Sequence, residues 1–168
     1  MKIKGLLPAA LAALLAVAIP IVVRANGSDA TITITISGPA VAIDIEVEPA
    51  EWAIESVQLN SSYTKDFTLV NRGSVRVDTT IAGTDAEGSG YRWQLGVFPG
   101  NNIYEIEYEI EGFGGTGNVT TSPTSFVQDL QKNHDKHFSL TVKTPSSGDS
   151  PGGGEAIQAI VTIHAVQG

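Results

Sequence analysis

The sequence predicts an all-β fold, an antiparallel β-sandwich of jelly-roll or immunoglobulin-like connectivity with one short helix, on three observations. Apolar residues alternate with polar ones in short stretches along most of the chain; Gly, Pro, Asn and Ser cluster between them; and a single stretch carries the start signals of a helix. The plainest alternation is Thr31 to Ile36, TITITI. Two β-branched residue types in strict period two make an extended strand with Ile32, Ile34 and Ile36 on one face and Thr31, Thr33 and Thr35 on the other.

Residues 1–25 read as a secretory signal peptide. Lys2 and Lys4 start it, Leu6 to Ile19 is apolar, Pro20 breaks it, and Val23-Arg24-Ala25 offers a cleavage site. A second cut after Ala30 would begin the mature chain on TITITI. Two alternatives stay open. Uncleaved, the 18 residues from Leu6 to Val23 barely suffice to cross a bilayer. Lys4-Gly5 also resembles the cut site of type IV pilin precursors, although the apolar run is short for a pilin's assembly helix. Removing the leader takes away three of the ten basic residues (Lys2, Lys4 and Arg24) and none of the 18 acidic ones, moving the formal charge from -8 to -11. That surface disfavours nucleic acid and anionic membranes, which leaves the leader as the only membrane contact. With no cysteine, an exported domain must be held by core packing, partners or both.

Residues 26–39 form an N-terminal strand with a Ser37-Gly38-Pro39 hinge, and residues 40–168 form the sandwich. Val41, Ile43, Ile45 and Val47 alternate with Ala42, Asp44, Glu46 and Glu48 until Pro49 ends the strand. Trp52, Ile54, Val57 and Leu59 follow less regularly, and Asn60-Ser61-Ser62 makes a turn. Tyr63 to Val70 and Val75 to Ile81 read as a hairpin across Asn71-Arg72-Gly73-Ser74, with Gly73 free to take positive φ. Gly83 to Gly90 is a polar loop, Tyr91 to Phe98 a strand, and Pro99 to Asn102 a turn. Tyr104, Ile106, Tyr108 and Ile110 then alternate with Glu105, Glu107, Glu109 and Glu111, ahead of the glycine-rich Gly112 to Gly117. Ser122 as N-cap and Pro123 in the first turn predict a helix to about Lys132 with Phe126, Val127 and Leu130 inward. Phe138 to Val142 is a strand, and Pro145 to Gly154 is a loop that can hardly pack. Ile157 to Val166 is so nearly apolar that it reads as a central strand buried on both faces.

Catalytic and cofactor motifs do not emerge. His134, His137 and His164 are the only histidines, no nucleophile elbow or zinc-protease motif occurs, and Gly112 to Gly117 lacks the lysine and the following helix of a phosphate loop. The reading is a non-enzymatic protein without cofactor. Along the Glu105 to Glu111 ladder, successive carboxylates lie about 6.6 Å apart at about 3.3 Å rise per residue. Their repulsion requires compensation, by Lys65, Arg72 or Arg76 from a neighbouring strand, by a basic patch of another subunit, or by calcium on Glu105, Glu107 and Glu109. Asn26, Asn60 and Asn118 each begin a glycosylation sequon.

TITITI has an undecided address: its own sandwich or the next molecule's. Its place just past the leader, the hinge behind it and the absence of a cysteine staple favour a neighbour. Burying Ile32, Ile34 and Ile36 would contribute roughly 5 to 9 kcal/mol before association costs, and because donor and acceptor surfaces differ, the contact repeats without closing into a fibre. The leader, the strand Val41 to Val47 running into Glu48-Pro49-Ala50-Glu51-Trp52, and the stretch Phe67-Thr68-Leu69-Val70-Asn71-Arg72-Gly73-Ser74-Val75 together resemble the TasA and camelysin family of biofilm matrix proteins and the similar archaeal bundling pilins. The likeness covers most of the mature chain in layout and only these segments in motif. It implies a jelly-roll subunit whose N-terminal strand, here Thr31 to Ile36, complements the next subunit in a head-to-tail homopolymer, giving extracellular filaments that bundle laterally in biofilms. Compact size and abundant sequons match the archaeal pilins better. Two other functions compete: a monomeric secreted module that binds sugar or calcium through Trp52, Trp93 or the Glu ladder, and a type IV pilin-like subunit that keeps its apolar N-terminus.

Overall fold

The computed structural model describes residues 41–168 apart from 56, 89, 113–114 and 152–155, together with the backbone of four short strands ahead of them. The chain divides into two units, Met1–Val41 and Ala42–Gly168. In the first, β1 (Ala16–Ala18) pairs antiparallel with β4 (Thr35–Ser37), and β2 (Ile21–Val22) pairs antiparallel with β3 (Thr31–Ile32). The rest of the expected leader, Asn26, Thr33, Ile34, and Gly38 and Pro39 of the expected hinge lie outside the described residues.

The second unit is all-β, with no helix among its described residues. Its strands are β5 (Ile45–Glu48), β6 (Ser62–Asn71), β7 (Val77–Gly83), β8 (Ala86–Gly88), β9 (Arg92–Gly96), β10 (Ile103–Ile110), β11 (Gly115–Asn118), β12 (Thr124–Ser125), β13 (Asp135–Lys143), β14 (Ile157–Gln158) and β15 (Val161–Gln167). A curled sheet runs β14-β8-β9-β10-β13-β6-β5, with β11 also on β10, and a small sheet runs β12-β7-β15. Pairing is antiparallel except between β9 and β10, where Gln94 to Gly96 run parallel to Ile103 to Glu105. The inward residues of both sheets meet in one core. Leu69, Val77, Ile81 and Val119 are fully buried, Phe67 stacks on Phe138 at 5.5 Å, and Phe126 meets Phe138 edge-on at 5.1 Å.

Four expectations are corrected. Tyr63–Val70 and Val75–Ile81 are not a hairpin: β6 pairs with β13 and β5, β7 with β12 and β15, and Asn71 to Ser74 carries the chain from one sheet to the other. The buried Asn71 makes that corner, donating from Nδ2 to the carbonyls of Val75 and Leu130 while its Oδ1 accepts from Gly73 N. Gly73 is needed there for close approach and not for positive φ, since a Cβ on it would stand 2.5 Å from the Ala42 carbonyl oxygen. The helix over Ser122 to Lys132 is replaced by β12 and turns. The main chain of this segment is spent on β7: Phe126 N donates to the Thr79 carbonyl, Val77 N and Leu130 N exchange bonds with each other's carbonyls, and Asp129 sits at φ +59°. Phe126, Val127 and Leu130 are nonetheless buried, as the apolar spacing predicted.

The loop after Pro145 is pinned in its first half, with Ser146 N on the Gly100 carbonyl, Asn102 N on the Ser147 carbonyl and the Trp93 indole on the Asp149 carbonyl. Lastly, Ile157 to Val166 is no doubly buried central strand. It splits into β14, on the curled sheet, and β15, whose one partner among the described strands is β7.

Candidate functional site: an open apolar groove

β15 alternates half-buried Val161, Ile163 and Ala165 with exposed Thr162, His164 and Val166, and not one of its residues is fully buried. At the other margin, β5 ends the curled sheet with Ile45 and Val47 half-buried, and Ile43, in phase with them, is 45% exposed. Between these two margins the core is open. A cavity of about 410 Å³ runs there, its floor formed by Phe67, Tyr104, Ile106, Phe138 and Leu140 of the curled sheet and one wall by Val161 and Ile163. Trp52, Ile54 and Val57, in the irregular stretch after β5, line it as well.

The floor is apolar and firmly built. Trp52 meets Phe67 edge-on at 6.1 Å. The Tyr104 hydroxyl donates to the Thr84 carbonyl at 2.6 Å, and burial, helped by nearby Asp85, pushes its pKa far up, so it stays a neutral donor. Asp85 itself accepts from Leu95 N at 2.9 Å and from Arg92 at 2.8 Å, and these bonds hold its carboxyl below the ordinary range. The groove therefore offers apolar surface at strand spacing and a β15 edge with no partner among the described strands. Among the described residues its lining holds no charged side chain that would fix a polar ligand.

The other predicted sites fall elsewhere. Thr31 and Ile32 lie in β3, paired with Ile21–Val22, and Thr35 and Ile36 in β4, paired with Ala16–Ala18. The Glu ladder occupies the outer face of β10, where its compensation comes from Lys143, not from Lys65, Arg72 or Arg76. Lys143 Nζ bridges Glu105 Oε2 at 3.3 Å and Glu107 Oε1 at 2.5 Å, and bonding to Glu107, then to Glu105, raises its pKa. Glu105 is only 2% exposed, in register with Gly96 at the end of β9, and its other oxygen accepts a short bond from Asn118 Nδ2. Glu109 stands exposed. Among the described residues no cluster of three metal-ligating side chains forms, so the calcium reading of Glu105, Glu107 and Glu109 gains no support. His137 bonds Thr68 and lies 3.3 Å from Asp135, while His134 sits on a turn. Asn60 is exposed and Asn118 half-buried. Sequence reasoning missed the groove walls because β15 reads as a central strand. That mismatch between composition and place is the signal that marks the groove.

Fold and site together define a class: a β-sandwich-like domain whose apolar interior is open along one side. No protein-family model matches the chain, and no curated protein matches it either.

Proposed function

We propose that the protein is a non-enzymatic structural subunit of an extracellular, cell-surface filament, a jelly-roll domain that polymerises head to tail by donating Thr31 to Ile36 to the groove of the next copy. One observation carries the reading: β15 has the composition of a central strand and, among the described strands, the position of an edge strand. A strand added along its free edge would make it central, and Ile32, Ile34 and Ile36 of that strand would cover Phe67, Ile106, Ile163 and their neighbours. Three isoleucines at period two match a groove that presents apolar side chains at strand spacing. Cleavage after Ala25 or Ala30 removes Ala16–Ala18 and Ile21–Val22, the strands now paired with the donor, and so supplies an unpaired strand at the moment of export. The resemblance to the TasA and camelysin proteins and the archaeal bundling pilins points the same way, with lateral contacts then gathering filaments into bundles.

The test is a mature chain lacking residues 26–36. It should fold and remain monomeric, whereas the chain starting at Asn26 forms filaments visible by electron microscopy. Filaments persisting without residues 26–36 would refute the proposal, and a full mature chain that stays monomeric at high concentration would favour a monomeric binding module instead.

A further inference from the structure

We infer that of the two sequons among the described residues Asn60 bears the glycan in the exported subunit and that Asn118, within the same three-residue motif, carries no sugar. The motif asks for two free groups, a carboxamide nitrogen to be glycosylated and a hydroxyl two residues on that the transferase engages. At the first sequon both are presented. Asn60 is exposed at a turn with φ +53°, Ser62 is exposed at the start of β6, and among the described residues neither side chain makes a hydrogen bond. Ser61 between them is tied through its main chain to Thr144, which holds the turn without using either group.

At Asn118 both groups are spent. Its Nδ2 donates to Glu105 Oε1 and, at 3.4 Å, to the Val97 carbonyl, while the Thr120 hydroxyl donates to the Ser122 carbonyl at 2.8 Å. Val119 between them is fully buried, its N–H on the Ile106 carbonyl. A glycan on Asn118 would replace one of the two N–H groups and force a sugar ring into the space between the Val97 carbonyl and Glu105. Glu105 is a buried carboxylate whose Oε2 is held by Lys143, and losing the Asn118 donor leaves its Oε1 without a hydrogen bond. The folded domain and a sugar on Asn118 are therefore incompatible.

In the transfer, Asn60 Nδ2 attacks the anomeric carbon of a lipid-phosphate-linked oligosaccharide. The new C–N bond forms as the C–O bond breaks, the lipid phosphate leaves with the electron pair, and one amide proton passes to a base on the transferase. The inference rests on export and not on filament assembly. It is tested by peptide mass mapping of the native protein from its own cells, with Asn60→Gln as a companion. The expected result is a glycan-shifted Asn60 peptide, an Asn118 peptide at its unmodified mass, and an unshifted peptide at position 60 in the variant. A glycan on Asn118, or a bare Asn60 in a chain that has lost its leader, overturns the assignment. A bare Asn60 in a chain that keeps its leader overturns it through the export premise, which the same map reads at the N-terminus.

Discussion

Asn71 shows how one buried side chain can join two sheets. It is fully buried and serves two carbonyls and one N–H where the chain leaves β6 for β7. Asn71→Leu keeps the branched outline and strips all three bonds; the Leu130 carbonyl keeps Val77 N and Gly73 N keeps the Asp44 carbonyl, which leaves the Val75 carbonyl without its partner, so unfolding in urea should reveal a loss of about 1 to 3 kcal/mol, the cost of one buried group left unpaired. Asp85 acts through charge. Its folded pKa lies below the ordinary 3.8, chiefly through the Leu95 N–H and then through Arg92. A depressed folded pKa stabilises the fold above the unfolded value and loses that contribution as pH falls through the folded one. The stability gap between the wild type and Asp85→Asn should thus be widest near neutrality and close on acidification below about pH 4; a gap unchanged down to pH 2 would contradict the assignment. Both residues are ordinary turn and loop letters in the sequence. Nothing in their neighbours announces that one will be entombed at a corner and the other bonded to a strand ten residues away, because those partners are chosen by the packing of sheets.

At the scale of the element, alternation located the strands reliably and named their partners poorly. Tyr104 to Ile110 alternates and is β10; Ser122 to Lys132 has a helix cap and no helix. Local capping is worth about 1 kcal/mol, and here the competing gain is a set of main-chain bonds to the buried Thr79 and Val77. β15 invites the sharpest test. Ile163→Glu places a charge on its half-buried inward face. The isolated domain should lose about 1 to 2 kcal/mol, because the side chain is only partly out of water to begin with, yet filament formation should stop altogether. Circular dichroism melts beside electron micrographs separate the two effects, and assembly at the wild-type rate would remove β15 from the acceptor edge.

For the whole molecule, an unfilled core is a stability deficit that a strand can repair. A chain lacking residues 26–36 should gain stability when a synthetic peptide of Thr31 to Ser37 is added, with a melting temperature that climbs with peptide concentration. At a hundredfold excess over Kd the gain is about 2.7 kcal/mol. Trp52, at the groove beside Phe67, provides the signal, as its fluorescence should shift when the peptide excludes water. A peptide with Ile32 and Ile34 replaced by Ser should raise the melting temperature little or not at all, and equal effects of the two peptides would argue against an apolar groove as the receptor.

From the sequence alone follow the all-β class, the positions of most strands and the inward side of many, since these depend on hydrophobic period and on turn residues, which are local. Only the tertiary structure decided that β6 and β7 part into separate sheets, that Lys143 and Asn118 enclose Glu105, and that β15 lies at an open margin. Strand pairing joins residues far apart in the chain, and no local pattern says which edge will find a partner. The apolar excess of β15 was plain in its letters; that its own domain leaves the excess half uncovered is a property of the fold.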